Sequence, residues 1–332
     1  MTSAVQQESK AASDRKGRSP TFRLLRVLAC LVFIAPATVG AAAASGLDNR
    51  VADILAQFVA PALTLSVLLA LCFGLLRWWP AAVTGLGVAL LLITAVYPQW
   101  SPDSARALRG APAVRLYSAN VWYLNDDIGA MRRSIEAADA DVIILIELGK
   151  SAVGQVDELL AGYPHRASSM RLDATRGPSR SVIASRYPLS PLQNPPDGLH
   201  AVAAQVRSPI GPLNVVGVHL TRPWPFQHSW GQISQTMALG RMTGRMSGPV
   251  VVAGDFNSVS SARIGRQVKT DLGLLPAPAM LGTWPSNLPP VAGIVIDQVY
   301  ASPDLAFVSR TLGQPNGSDH RPVVTEVTRA AD

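Results

Sequence analysis

Two strings in the C-terminal half, Gly254-Asp255-Phe256-Asn257 and Ser318-Asp319-His320, each set a carboxylate beside a second polar group. Pairs of this kind activate water or bind a metal ion. The first string follows the apolar run 249–253 and the second precedes the run 323–327. Both runs read as buried strands. A polar group at the end of a core strand is rigidly placed, as hydrolytic chemistry requires.

Other polar residues stand at the ends of further apolar runs. Asn120 closes 114–119, Glu147 closes 141–146 and His219 follows 213–218, while Asp297 lies within 295–301. A carboxylate ending an apolar run, as Glu147 does, needs a partner. Read singly, Asn120 fits a turn cap and Asp255-Phe256-Asn257 an ordinary Gly-Asp loop. Read together, no folding requirement demands all of these groups at the same strand ends. Carboxylates with an amide carbonyl make the hard oxygen site that Mg²⁺ prefers, with Mn²⁺ as a substitute, and such an ion binds substrate phosphate. Two histidines beside it supply an acid, a base or a donor to the phosphate.

These elements must hold that constellation. Strands are predicted at 114–119, 141–146, 181–184, 201–206, 213–218, 250–253, 295–301 and 323–327, several of them continuous Val/Ile/Leu runs suited to burial on both faces. Helices are predicted at 126–138, capped by Asn125, and at 229–246 with Trp230, Ile233, Met237 and Met242 inward. Shorter helices fit 151–160 and 260–272. Strands interleaved with helices give a layered α/β domain over 113–330.

The N-terminal part is different. Stretches 22–44, 51–76 and 80–97 are nearly free of charge, and each approaches the roughly 20 residues that cross a hydrocarbon core. Three transmembrane helices are predicted, after a polar, disordered cytoplasmic tail at 1–21 and before a linker at 98–112. A signal peptide does not fit the first stretch, which is too long and is followed by another apolar span. Lys10, Arg15, Lys16, Arg18, Arg23, Arg26 and Arg77 lie on one side of the predicted spans, against Arg50, Arg106 and Arg109 on the other. Seven against three places the tail inside and the C-terminal domain outside the cytoplasm, in the inner or plasma membrane.

Charge argues against a strongly DNA-binding surface. Residues 1–111 carry ten basic and five acidic residues, a net +5; residues 112–332 carry nineteen and seventeen, a net +2. The basic excess therefore belongs to the membrane-proximal part. Both cysteines, Cys30 and Cys72, fall in predicted spans, so disulfides do not stabilise the exported domain.

The chain resembles the endonuclease/exonuclease/phosphatase superfamily, metal-dependent phosphoesterases related to pancreatic-type deoxyribonuclease, abasic-site endonucleases, neutral sphingomyelinases and inositol-polyphosphate 5-phosphatases. Besides the two opening strings, Tyr117-Ser118-Ala119-Asn120, the run from Asp141 to Glu147, Ala184-Ser185-Arg186-Tyr187-Pro188-Leu189, Val218-His219-Leu220, Thr283-Trp284-Pro285 and Ile296-Asp297-Gln298-Val299 carry it, in the family's order. The resemblance implies a four-layer α/β/β/α sandwich. It implies Asn120, Glu147 and Asp319 at the metal, with Glu147 the direct ligand. Asp255 and Asn257 would position or activate water, His320 would meet the scissile phosphate oriented by Asp297, and His219 would donate to a phosphate oxygen. Ser185-Arg186-Tyr187-Pro188 reads as a structural turn, and His165, His200 and His228 as surface or loop histidines. Arg222, in a segment reaching Phe226, and Trp284 are candidates for substrate binding, against the alternative of a proline-stiffened loop. The expected activity is Mg²⁺-dependent phosphoester hydrolysis by water. Nucleic acid stands first as substrate because nucleases are frequent in the family. A phospholipid or small phosphoester at the membrane stands second, favoured by the anchor, and an inactive binding scaffold third. No protein partner is implied; the lipid bilayer is.

Overall fold

A computed structural model describes residues 20–169, 180–192, 195–223 and 228–331. The tail expected at 1–21 lies almost wholly outside them, as do Trp224, Pro225 and Phe226.

The chain opens with helices. Pro20–Leu28 (α1) runs through a 3₁₀ turn at Ala29–Phe33 into Ile34–Ala44 (α2), and Arg50–Ala56 (α3), Val59–Leu75 (α4) and Trp79–Trp100 (α5) follow. Two helical stretches, Leu24–Ala44 and Trp79–Trp100, are long and apolar enough by length and composition to cross a membrane. The second predicted span is corrected. It is a pair of helices bent by 56° at Gln57–Phe58, and counts as a third crossing only if α3 and α4 are taken as one. The break coincides with a tertiary contact, because the Gln57 side chain, besides bonding the Asp53 carbonyl of its own helix, is tied to Ser258 and Val259 of the neighbouring domain. The third helix is also longer than predicted, so irregular chain begins only after Trp100. Small residues face inward in this bundle (Ala62, Ala70, Ala81, Ala82, Ala89), whereas Leu65, Leu68, Leu71, Leu75, Val83, Leu86 and Leu90 are exposed. The interior that these alanines share also holds Phe33, Val59, Leu63, Leu92 and Val96, so the bundle is apolar on both its inner and outer faces.

From Ala113 the chain forms two six-stranded sheets. Ala113–Asn120 (β1), Val142–Ile146 (β2), His165–Ser168 (β3), Val182–Ser185 (β4), Leu305–Leu312 (β11) and Val323–Arg329 (β12) make the first, in the order β11-β12-β1-β2-β4-β3. Leu189–Pro191 (β5), Ala201–Ser208 (β6), Gly211–His219 (β7), Val250–Asp255 (β8), Leu275–Pro276 (β9) and Asp297–Ala301 (β10) make the second, ordered β5-β6-β7-β8-β10-β9. All eight predicted strands are present; β3, β5, β9 and β11 are additional. The sheets meet over an apolar core that includes Leu116, Ile144, Ile183, Leu213, Val251 and Val299. The outer face of the first is covered by Ile128–Ala138 (α6), Lys150–Gly154 (α7) and Val156–Leu159 (α8); that of the second by Ser229–Thr243 (α9) and Arg263–Leu272 (α10). The result is the four-layer sandwich expected.

Two local expectations change. Asp127, not Asn125, caps α6, accepting from the Ala130 amide at 2.8 Å, while Asn125 donates to the Asn316 carbonyl across the fold. In α9, Trp230 and Met237 point outward, and the buried face carries Gln232, Gln235, Thr236, Leu239 and Met242. The rotation follows from hydrogen bonding: Gln232 Nε2 donates to the carbonyls of Phe256 and Asn257, and Gln235 accepts from the Thr221 amide. Leaving those buried backbone groups unpaired would cost about 1–3 kcal/mol each.

Candidate active site

Strand register brings the polar groups together. Asn120 at the end of β1 pairs with Ile146 at the end of parallel β2, which puts Glu147 next to it. In the other sheet His219 at the end of β7 pairs with Asp255 at the end of parallel β8, and Asp255 pairs with Asp297 at the start of antiparallel β10. The loop holding Ser318, Asp319 and His320 leads into β12, the neighbour of β1, and the Ser318 hydroxyl donates to the Asn120 carbonyl at 2.8 Å. Both sheets thus present their polar ends at one rim.

Asp255 is the hub. Its Oδ2 accepts from Asn120 Nδ2 at 3.1 Å and from Asn257 Nδ2 at 3.3 Å, and lies 3.8 Å from Nε2 of both His219 and His320. Its Oδ1 accepts from the Asn257 amide at 2.7 Å. Glu147 Oε1 accepts from Asn120 Nδ2 at 3.1 Å and sits 3.1 Å from His219 Nε2. His320 Nδ1 contacts Asp297 Oδ2 at 2.9 Å. Asp319 Oδ2 accepts from the indole N–H of Trp284 at 3.2 Å, which makes Trp284 a support for that carboxylate as well as a wall of the pocket. Glu147 and Asn257 both adopt left-handed backbone, with φ of 58° and 47°. Such conformations persist where the surroundings over-determine them, and they gather at functional sites.

Burial and charge set the protonation states. Burial alone would strip the proton from His320, but the carboxylates of Asp297, Asp255 and Asp319 outweigh it and hold the imidazolium up to about 10. Burial raises Asp255, with Asp297 adding to the effect and the two histidines opposing it, to about 6. The pair therefore offers a base beside an acid near neutral pH.

The donor set could also hold a metal ion. One ligand atom from each of Glu147, His219 and Asp255 lies within 4.8 Å of the others, as does a second group from Asp255, Asp297 and His320. Asp319 Oδ1 is buried and has no hydrogen-bond partner among the described residues. A buried carboxylate oxygen in that state is costly unless a donor or a cation meets it.

The pocket above these groups has a volume of about 440 Å³. Of the predicted residues, Glu147, His219, Arg222, Asp255, Asn257, Trp284, Asp319 and His320 line it, whereas Asn120 and Asp297 lie beneath and hold the others. Arg186 and Tyr187 stand at the opposite strand ends, bonded to Asp139 and Asp141. Sequence reasoning missed Gln57, Trp122, Tyr123, His200, Thr221, Ile294 and Ile296 as lining residues. His200, expected at the surface or in a loop, does lie in a loop, one that closes the pocket. Nothing in the local sequence distinguishes these residues, because tertiary contacts alone bring them in.

Gly254 shows how tightly β8 is set. Its φ is 142°, and a Cβ there would stand 2.0 Å from the Val218 carbonyl oxygen on β7. Gly254→Ala is expected to cost about 2–3 kcal/mol, lowering the melting temperature of the protein by roughly 5–10 °C. An unchanged melting temperature would mean that β8 can move from β7 freely.

A sequence model of the Endonuclease/Exonuclease/phosphatase family matches residues 117–320. No curated protein sequence matches the chain. Among solved structures, the fold is similar to that of an endonuclease/exonuclease/phosphatase from Beutenbergia cavernae, with 19% identity over 66% of this chain and 72% of that one and a TM-score of 0.54. It is similar to D. rerio TDP2 complexed with a single-strand DNA product, at 17% identity over 65% and 99%, with a TM-score of 0.52. The 2',3'-cyclic phosphatase ANGEL2 aligns at 15% identity over 69% and 99%, with a TM-score of 0.51.

Proposed function

The chain belongs to the endonuclease/exonuclease/phosphatase family, and we propose that it is a membrane-anchored, Mg²⁺-dependent enzyme hydrolysing phosphoesters by direct attack of water. The observation that carries this reading is the closure of two sheets on Asp255, with Glu147, His219, Asn257, His320 and Asp297 around it. Mg²⁺, or Mn²⁺ in its place, held by Glu147 with Asn120 and Asp319, would supply polarisation of a phosphoryl oxygen and offset charge on the leaving oxygen.

The chain's own residues do the rest. Asp255, turned by Asn257, takes a proton from the attacking water. The water oxygen bonds to phosphorus as the bond from phosphorus to the leaving oxygen breaks. That oxygen leaves as an alcohol, taking its proton from solvent water, and Asp255 returns the proton it accepted to solvent. The imidazolium of His320, held by Asp297, donates to a phosphate oxygen, and His219 donates to a second. No covalent enzyme intermediate is required. TDP2 carries a DNA product in its solved structure, which keeps nucleic acid as a candidate substrate. The net +2 of residues 112–332 gives that reading little electrostatic support.

The anchor reading rests on apolar helices and their flanking charge. The first loop, the bend after α3 and the end of α5 all meet the catalytic domain, through Asp48 with Arg263 and Arg266, Gln57 with Val259, and Gln99 with Ala279. Arg77 is at the other end of the bundle, between α4 and α5. Three crossings with the tail inside account for this arrangement. A reporter fused after Asp332 is expected to read as extracytoplasmic; a cytoplasmic signal would remove one crossing or invert the whole.

A further inference from the structure

The apolar bundle does more than tether the domain, because it forms part of the pocket. Gln57, at the bend between α3 and α4, is 2% exposed. Its Oε1 accepts from the Val259 amide at 2.8 Å, and its Nε2 donates to the Asp53 carbonyl at 2.9 Å and to Ser258 Oγ at 3.4 Å. Ser258 and Val259 directly follow Asn257. Ala56, Val259, Ala262, Ile294 and Ile296 close a small apolar core across this junction, and Gln57, Ile294 and Ile296 line the pocket beside the catalytic groups.

The segment that completes this wall also runs down the bundle. Trp284 and Ile294 line the pocket, and between them the turn at Pro290–Ala292 packs against α4. There Thr64 Oγ1 donates to the Val291 carbonyl at 2.6 Å. Depth follows from helix geometry. At 1.5 Å per residue, the 17 residues of α4 rise about 25 Å, most of a hydrocarbon layer of about 30 Å, so where α3 and α4 together make one span the layer's boundary lies near their bend. Thr64 then lies about 8 Å inside the boundary at Val59, within the depth of about 5–10 Å reached by interfacial apolar groups. The segment presents Met280, Leu281, Leu288 and Val291 with exposures of 62, 42, 45 and 56%. Val291 lies in the turn that packs against α4 and Leu288 just before it, and large apolar side chains exposed beside an apolar helix suit a bilayer surface better than water.

Granted the phosphoesterase reading above, on which this rests, we propose that the pocket takes the phosphoester of a membrane lipid, entering between α4 and the 280–292 segment with its acyl chains left in the bilayer. The phosphate would reach the Asp255 and His320 cluster past Ile294 and Ile296. The hydrolysis would be the one already written, with the lipid alcohol or the headgroup alcohol as the leaving oxygen.

The test uses the full chain in vesicles of phosphatidylcholine, phosphatidylglycerol and phosphatidic acid with Mg²⁺. Parallel arms contain single-stranded and duplex oligonucleotides and the soluble diester bis-p-nitrophenyl phosphate. Lipid products are expected to form faster than oligonucleotide fragments at equal phosphoester concentration. The Leu288→Glu/Val291→Glu double variant should lower lipid turnover about tenfold or more, since it places charge in the interface, yet cleave the soluble diester within about twofold of the parent. Soluble diester cleaved with every lipid intact overturns the proposal and spares the phosphoesterase reading, whatever the oligonucleotides do. Lipid turnover indifferent to the glutamate pair overturns the entry route. Hydrolysis in none of the arms sinks the phosphoesterase reading and the proposal with it.

Discussion

Glu147→Gln is expected to reduce Mg²⁺-supported hydrolysis of bis-p-nitrophenyl phosphate by about a thousandfold while the protein stays folded. The amide keeps the shape of the side chain and removes the negative charge that a hard cation requires. A thousandfold loss corresponds to about 4 kcal/mol of transition-state stabilisation, the scale on which preorganised charge acts in a partly buried site. The fold should survive, because the glutamine oxygen still accepts from Asn120 Nδ2, the contact that Glu147 Oε1 now makes at 3.1 Å. The left-handed backbone at this position is unchanged by the substitution, so no new strain enters. Two measurements separate metal binding from structure: Mn²⁺ affinity by calorimetry, expected to weaken, and the melting temperature without metal, expected to hold. Parental turnover, or unaltered Mn²⁺ affinity, would remove Glu147 from the metal site.

His320→Ala is expected to abolish most activity, Asp297→Asn to lose a large part, and the double variant to be little worse than the histidine change alone. Asp297 Oδ2 lies 2.9 Å from His320 Nδ1, which leaves Nε2 turned toward the reacting centre, 3.8 Å from Asp255. A carboxylate on one nitrogen fixes the ring's orientation and favours its charged form. Asp297 is itself held, its amide donating to Thr283 Oγ1 at 3.1 Å and its carbonyl accepting from Arg310 at 3.0 Å. Groups that act as one unit lose activity non-additively. Rates for the four enzymes decide the matter: if the two losses multiply, Asp297 serves the fold and not the histidine.

Much of the catalytic half could be read from local pattern. The continuous apolar runs at 142–146 and 250–253 identify strands covered on both faces, because such runs cannot be solvated on either side. The strands that escaped notice are short, as β9 is, or half-exposed, as β11 is with Ser309, Arg310 and Thr311 along it. Edge strands carry no distinctive signal since one side and one face meet water. The inward face of α9 departs from the hydrophobic pattern for a related reason: its burial is set by Gln232 and Gln235, which satisfy loop backbone groups, and hydrophobicity does not register that demand.

For the site, the sequence by itself determined which chemical groups are available and that each lies at a strand end, since residue type and apolar pattern are local properties. The family's strings then implied their roles. Only the tertiary structure decided that Asp255 stands between His219 and Asp297, because that depends on the pairing register of β7, β8 and β10. It also decided that a helix some 200 residues away in sequence walls the pocket, through Gln57. The Gln57–Val259 bond arises where a bent apolar helix meets a buried loop. A polar side chain in an apolar stretch shows in the sequence; the orphan amide that it satisfies belongs to a distant segment, and only folding brings the two together.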